Sequence, residues 1–309
     1  MVPIIEVKHL TKSFRDLKAV NDLSFTVEEG QVYGFLGQNG AGKSTTIRML
    51  LTLIKPTSGN IEIFGLDLQK HRKEILRQVG AIIERPDLYK YLTALENLRI
   101  FAAMSGIQIS EKKLMDQLAM VGLEQRAHSK VKTYSQGMKQ RLGIAIALVH
   151  DPKLIILDEP TNGLDPQGIA DIRNLILMLS RDMHKTLLIS SHLLSEMELI
   201  ADSMIIIDKG KKLVEGKVNE LFDPAETIVE LKTTDDSETY NKLMQSSLKG
   251  FVQGKRNDCV LMKLHRNKVP EVMKELVRMD VNVISLHSKH SLEDYFLSLT
   301  TGQSNVEVA

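Results

Sequence analysis

The apolar positions of this 309-residue chain change their spacing several times along its length. From Ile4 to Phe64 the pattern is short β-prone segments: Ile4–Leu10, Leu23–Val27, Val32–Leu36 and Asn60–Phe64. The turn clusters Glu28-Glu29-Gly30 and Pro56-Thr57-Ser58-Gly59 punctuate them. Between about Asp87 and His150 the spacing becomes helical. Leu95, Leu98, Ile100, Phe101 and Met104 recur at i, i+3 and i+4 intervals, followed by Leu114, Leu118 and Val121. Two unbroken runs then appear, Leu154–Leu157 and Thr186–Ser190, with a helical pattern from Ile169 to Ser180 between them. Short continuous runs of this kind predict strands buried on both faces of a parallel sheet, joined here by a βαβ crossover. Met204–Ile207 and Lys211–Glu215 flank Asp208-Lys209-Gly210 as a hairpin.

A boundary falls near Leu221-Phe222-Asp223-Pro224, which divides the chain into residues 1–222 and 223–309. Beyond it the pattern reads strand (Thr227–Thr233), helix (Glu238–Ser246), strand (Gly250–Gly254), strand (Cys259–His265), helix (Pro270–Met279) and strand (Val283–Lys289). That βαββαβ order predicts a small ferredoxin-like α+β unit. Gly302–Ala309 reads as a frayed end.

Composition narrows the function classes. With 40 basic and 39 acidic residues the net charge is +1, and neither a basic stripe nor an acidic tail stands out. A nucleic-acid partner is therefore not expected. One cysteine, Cys259, precludes an internal disulfide and reads as a small buried apolar residue. Met1–Lys8 lacks the basic and apolar regions of a signal peptide, and no run approaches the roughly 18 apolar residues that span a bilayer. A cytoplasmic protein is expected.

The chemistry starts at Gly37-Gln38-Asn39-Gly40-Ala41-Gly42-Lys43-Ser44-Thr45, which fits the phosphate-loop pattern G-x-x-x-x-G-K-[ST]. It lies between the β-prone Val32–Leu36 and the helical Thr46–Leu51, as such a loop must. Glycines let backbone N–H groups converge on phosphate oxygens, and the following helix adds its positive end. Lys43 can reach the terminal phosphates and Ser44 can offer a hydroxyl to Mg²⁺. A second element, Leu154-Ile155-Ile156-Leu157-Asp158-Glu159, delivers two acids from a buried strand, where open α/β sheets place ligands. Asp158 is a candidate metal support and Glu159 a candidate base for water. Ser190-Ser191-His192 ends the next buried run, so His192 projects onto the same face and could stabilise charge on a phosphate in flight.

Together with Tyr134-Ser135-Gln136-Gly137-Met138-Lys139-Gln140-Arg141, these residues resemble the nucleotide-binding subunits of ABC transporters. On its own the Tyr134–Arg141 stretch is a polar turn before a helix at Arg141–Val149. The similarity covers roughly the first 220 residues. It implies an α/β fold: a P-loop NTPase core with an antiparallel β subdomain and a helical subdomain at about residues 87–150. It also implies an ATPase using ATP and Mg²⁺. By the same resemblance Phe14 matches the aromatic that stacks on adenine, and Gly37, Asn39, Gly40, Gly42, Lys43, Ser44 and Thr45 match the phosphate cradle. Asp158 and Glu159 match the metal-supporting acid and the catalytic base, and His192 the switch histidine. Asp165 matches a dimer-contacting aspartate. Ser135, Gln136 and Gly137 match the signature that reaches ATP on the opposite subunit, so two copies would enclose two MgATP head to tail and drive a separate membrane permease.

The chain departs from the family pattern in two places. Glu84 stands where the family has Gln, and a carboxylate there could ligate Mg²⁺ while adding negative charge. Gln136 and Met138 replace the usual Gly and Gln of the signature. The stretches Ile82–Tyr89, Ser135–Met138 and Ser291–Leu297 are similar to a bacterial exporter branch linked to peptide-antibiotic resistance. The competing readings are a soluble ABC ATPase acting on nucleic acid or ribosomes, a non-hydrolysing regulatory module, and an ordinary GTPase. The single phosphate loop speaks against the first, the intact Lys43, Asp158, Glu159 and His192 against the second, and the lack of an N-K-x-D sequence against the third. A permease-facing surface is expected around Glu84–Leu92, with Tyr89 and Tyr91 as contacts, and the C-terminal unit is expected to regulate or to assist dimerisation.

Overall fold

The computed structural model describes residues 3–221, 226–256 and 259–289. The chain divides into two compact units, Met1–Val218 and Asn219–Ala309. Residues 222–225, where the boundary was expected, lie outside the described set, as do Ser291–Leu297 and Gly302–Ala309.

In the first unit, β1 (Pro3–Phe14), β2 (Leu17–Glu28), β4 (Ser58–Ile63) and β5 (Leu66–Asp67) form an antiparallel sheet in the order β2-β1-β4-β5. A second sheet holds β3 (Val32–Leu36), β6 (Val79–Ile82), β7 (Leu154–Asp158), β8 (Thr186–Ser191), β9 (Ser203–Asp208) and β10 (Lys211–Lys217). Its order is β10-β9-β3-β8-β7-β6, parallel throughout except for the antiparallel pair β9–β10. Every residue of β3, β7 and β8 is buried, which is why those runs carry no polar alternation. The two sheets share one core. Ile5, Leu23, Phe25 and Ile63 pack with Phe35, Ile156, Leu188 and Ile205, and Ile47 and Leu50 of α1 (Lys43–Leu50) fill the space between. Each such side chain contributes about 1.5–3 kcal/mol through its removal from water.

α2 (Arg72–Leu76) leads into β6, which was not read from the sequence as a strand. Its Gly80 explains the oversight and the packing together. A Cβ there would lie 2.2 Å from the carbonyl oxygen of Ala147, so α5 approaches β6 at a distance only glycine allows. The helical stretch comprises α3 (Ala94–Met104), α4 (Glu111–Met120) and α5 (Gln136–Leu148). Thr93 and Glu96 close a capping box on α3. The buried face of α3 is Ala94, Leu95, Asn97, Leu98 and Ala102, while Met104, expected on it, is 69% exposed. The helix expected at Arg141–Val149 begins five residues earlier. Ser135 is its N-cap and accepts from the Met138 backbone N–H, so the polar turn is itself the first helical turn. α6 (Pro166–Arg181) bridges β7 and β8, α7 (Leu194–Glu198) follows β8, and α8 (Val218–Leu221) begins at the last residue of this unit.

The second unit contains β11 (Glu226–Thr233), α9 (Asp236–Met244), β12 (Val252–Arg256), β13 (Cys259–His265), α10 (Val269–Arg278) and β14 (Val283–Lys289). Its four strands are antiparallel in the order β12-β13-β11-β14, so the first and third strands are central. Val229, Leu231, Val260, Met262 and Leu264 of the sheet meet Leu243 of α9 and Val272 and Leu276 of α10 in one core. Among the described residues, no helix is long and apolar enough to cross a membrane.

Candidate functional site

The phosphate loop follows β3 and ends in α1. Gly42, the N-cap of α1, has φ 108°, a conformation that side chains disfavour, and a Cβ there would lie 2.6 Å from Ala19 O of β2. The loop is held from behind. The Gly210 N–H donates to Ala41 O at 2.9 Å, and the Asn21 N–H to Gly210 O at 2.9 Å. Asn39 and Gly40 are exposed at its tip, while Ser44 and Thr45 are half-buried at the start of the helix. Lys43 is almost wholly buried. Its Nζ donates to Gly37 O at 2.7 Å and to Gln38 O at 3.3 Å, and lies 3.2 Å from Glu159 Oε1.

Three neighbouring strand ends meet here. β3 delivers the loop, β8 lies beside it, and β7 lies beside β8. His192 Nδ1 is 2.7 Å from Glu159 Oε2, and facing a carboxylate it is the donor. Glu159 therefore joins Lys43 through one oxygen and His192 through the other. Its backbone is left-handed, with φ 50°, an uncommon state for glutamate that the surroundings must enforce. One such restraint is Ser190, whose Oγ accepts from the Glu159 N–H at 3.0 Å while its hydroxyl donates to Asp158 Oδ1. Sequence reasoning assigned Ser190 no role. Its signal was its position at the C-terminal end of a buried run, two residues before His192, where β8 pairs with the strand that carries Asp158.

Asp158 is fully buried, and its Oδ2 has no hydrogen-bond partner. A buried carboxylate oxygen left unpaired is costly unless something answers it. An oxygen-only donor pair, Asp158 with the Ser44 hydroxyl, suits a hard cation such as Mg²⁺. Among the described residues there is no group of three or more His, Cys, Asp or Glu side chains that could hold a metal.

The remaining candidates occupy other elements. Phe14 is 46% exposed where β1 turns into β2, with the Lys12 ammonium 4.9 Å from its ring centroid, so it is not a core residue. Ser135, Gln136 and Gly137 form the start of α5, with Ser135 exposed and open space around Gly137. Asp165 is the exposed N-cap of α6 and accepts from the Gly168 N–H at 3.0 Å. Glu84, with φ 58°, is exposed and paired with the Arg48 guanidinium of α1. Sequence reasoning missed that partner: it considered Glu84 as a metal ligand and as part of a permease-facing surface, not as an ion-pair partner of α1. Tyr89 and Tyr91 are 49% and 79% exposed.

Residues 20–162 match the family described as ABC transporter. The chain is 44% identical over 304 residues to the bacitracin transport ATP-binding protein BcrA of Bacillus licheniformis, covering 98% of this chain and 99% of that one. It is 41% identical over 228 residues to the lantibiotic transport ATP-binding protein SrtF of Streptococcus pyogenes, covering 74% of this chain and 95% of that one. A solved ATP-binding subunit of an ABC transporter superposes with a TM-score of 0.64 at 33% identity, over 71% of this chain and 92% of that one. The dimeric post-hydrolysis cassette MJ0796, bound to ADP and Pi, gives a TM-score of 0.63 at 26% identity, over 69% of this chain and 98% of that one.

Proposed function

Because the chain belongs to the ATP-binding proteins of ABC transporters, an ATPase family, we propose that it is the subunit whose ATP hydrolysis drives export of a peptide antibiotic or related compound through a separate permease. The observation that carries this reading is the placement of Glu159, with its carboxylate between Lys43 of the phosphate loop and His192 just beyond the neighbouring strand. Lys43 neutralises the terminal phosphates, which compete for its ammonium with Gly37 O, Gln38 O and Glu159. Glu159 orients water and accepts its proton. His192 donates a hydrogen bond, holding Glu159 at rest and the γ-phosphate during transfer. Ser44 and Asp158 hold Mg²⁺, which when bound offsets the phosphate charge.

The exposed ring of Phe14 is available to adenine. Ser135, Gln136 and Gly137 serve the ATP of a second copy, with Asp165 at the contact between copies. A head-to-tail pair of chains explains why one sequence carries both a phosphate loop and a signature on a separate helix. Glu84, paired with Arg48, is proposed as a residue of the permease-facing surface that also comes near the metal. The names of the bacitracin and lantibiotic relatives support transport over a nucleic-acid or ribosomal role. Membrane association follows from the permease, and residues 223–309 act as an accessory regulatory unit.

The test is to purify the tagged Glu159→Gln chain with ATP from gently solubilised native membranes. A multi-span membrane protein recovered in stoichiometric amount supports the transporter reading. Recovery of soluble partners alone, with no chain in the membrane fraction, overturns it.

A further inference from the structure

The loop that follows Glu159 makes one more side-chain bond to the segment that follows His192. Thr161 Oγ1 donates to Glu196 Oε2 at 2.6 Å, and both side chains are half-buried. Thr161 lies two residues after Glu159, in a loop turned by Asn162 N–H to Glu159 O and Leu164 N–H to Thr161 O. Glu196 lies on α7, four residues after His192, and α7 is fixed to the core by Leu194 and Met197, 3% and 1% exposed. Thus one end of the bond is anchored and the other belongs to the loop that must keep Glu159 at φ 50°.

We propose that Thr161 and Glu196 are a positioning pair for the hydrolytic step, locking the loop after β7 onto α7 so that the Glu159 carboxylate stays aligned with His192 and Lys43. The physical ground is the left-handed backbone of Glu159. A non-glycine residue in that region persists only where its surroundings over-determine it. Ser190 Oγ fixes the Glu159 N–H from the strand side, and the Thr161–Glu196 bond fixes the chain on the other side. Without it the loop relaxes toward ordinary backbone angles and carries the carboxylate away from both partners. Neither residue touches nucleotide in this scheme; they act through Glu159. The inference rests on Glu159 being the general base.

The experiment measures steady-state ATPase of the full chain for Thr161→Val, Thr161→Ser, Glu196→Ala, the Thr161→Val/Glu196→Ala double variant, and Glu159→Gln. Thr161→Val should lower kcat about tenfold or more while the ATP KM moves less than about twofold, the pattern of a contact that matters in the transition state. Thr161→Ser, which keeps the hydroxyl, should restore most of the rate. The double variant should fall no further than the worse single one, since both remove the same bond. Wild-type kcat in Thr161→Val, a Thr161→Ser as slow as Thr161→Val, or multiplicative losses in the double variant would each overturn the pairing. Glu159→Gln separates the two levels. If it retains full turnover, the assignment of the base fails; if it is inactive while Thr161→Val is normal, only the positioning pair fails.

Discussion

His192 and Glu159, 33 residues apart in sequence, are joined by a 2.7 Å hydrogen bond across the ends of two adjacent parallel strands. The pairing of β7 with β8 sets Asp158 opposite Ser190, so the residues just beyond each strand leave the sheet together. The bond is thus a product of strand register. A one-residue slip would turn either side chain to the opposite face.

Replacing Glu159 by Gln keeps a group of similar size but removes the base. Turnover should fall by about 10²–10⁴. ATP binding should survive, since the residues that hold phosphate are untouched. Phosphate release and equilibrium nucleotide binding, measured on the same preparation, check both halves.

Lys43→Ala removes the buried ammonium. A charge-assisted hydrogen bond contributes about 1.5–3 kcal/mol, so ATP affinity should drop roughly ten- to hundredfold. Titration with a fluorescent ATP analogue reads this directly, and unchanged affinity would mean that the loop does not bind phosphate.

Two glycines of the phosphate loop should respond differently to alanine. Gly40 has φ 84° but nothing within 4 Å of an added Cβ, so Gly40→Ala should cost only the backbone term of about 1–2 kcal/mol. Gly42→Ala adds a Cβ 2.6 Å from Ala19 O and must displace the loop from β2. Its thermal midpoint should be clearly lower than that of Gly40→Ala, with nucleotide binding lost. Equal midpoints would show that the loop does not sit against β2 as described.

His150 supplies a pH dependence. Its Nε2 faces Val79 O at 3.2 Å and so carries the hydrogen, leaving Nδ1 buried without a partner. Burial pushes its pKa below the usual histidine value, against the smaller opposing pull of Val79 O and Asp151. A lowered folded pKa means that the unfolded chain takes up the proton first. The contribution is therefore fully present above about pH 6.5 and lost as pH falls through the folded value. Urea midpoints at pH 7.5 and pH 5 should differ less for His150→Gln than for the wild type.

The strands easiest to read were those whose burial leaves a mark in composition. Val32–Leu36 was read to the residue, and Leu154–Leu157 and Thr186–Ser190 were each read to within one residue, because a strand buried on both faces has no polar positions to blur it. β6 escaped because it is short and its Gly80 answers to a neighbouring helix, which local pattern does not reveal. The start of α5 was misplaced because Gln136-Gly137-Met138 has weak helical periodicity, while the cap at Ser135 does the specifying. At the site, residue types announced the phosphate loop and the acids. The partners that tune them, Ser190 for Asp158 and Arg48 for Glu84, lie 32 and 36 residues away and become visible only once the chain has folded.

The strand that carries the phosphate loop has a further consequence, which lies in the order of synthesis. β3 is apolar over nearly its whole length and bonds only to β8 and β9, whose residues begin at Thr186 and Ser203. About 150 residues must therefore leave the ribosome before either edge of β3 finds its partner. Throughout that interval the nascent chain displays an unpaired hydrophobic strand, the kind of edge that recruits other chains. Yield in the cell should depend on how quickly translation passes residue 208, and on chaperones that shield β3 until it does.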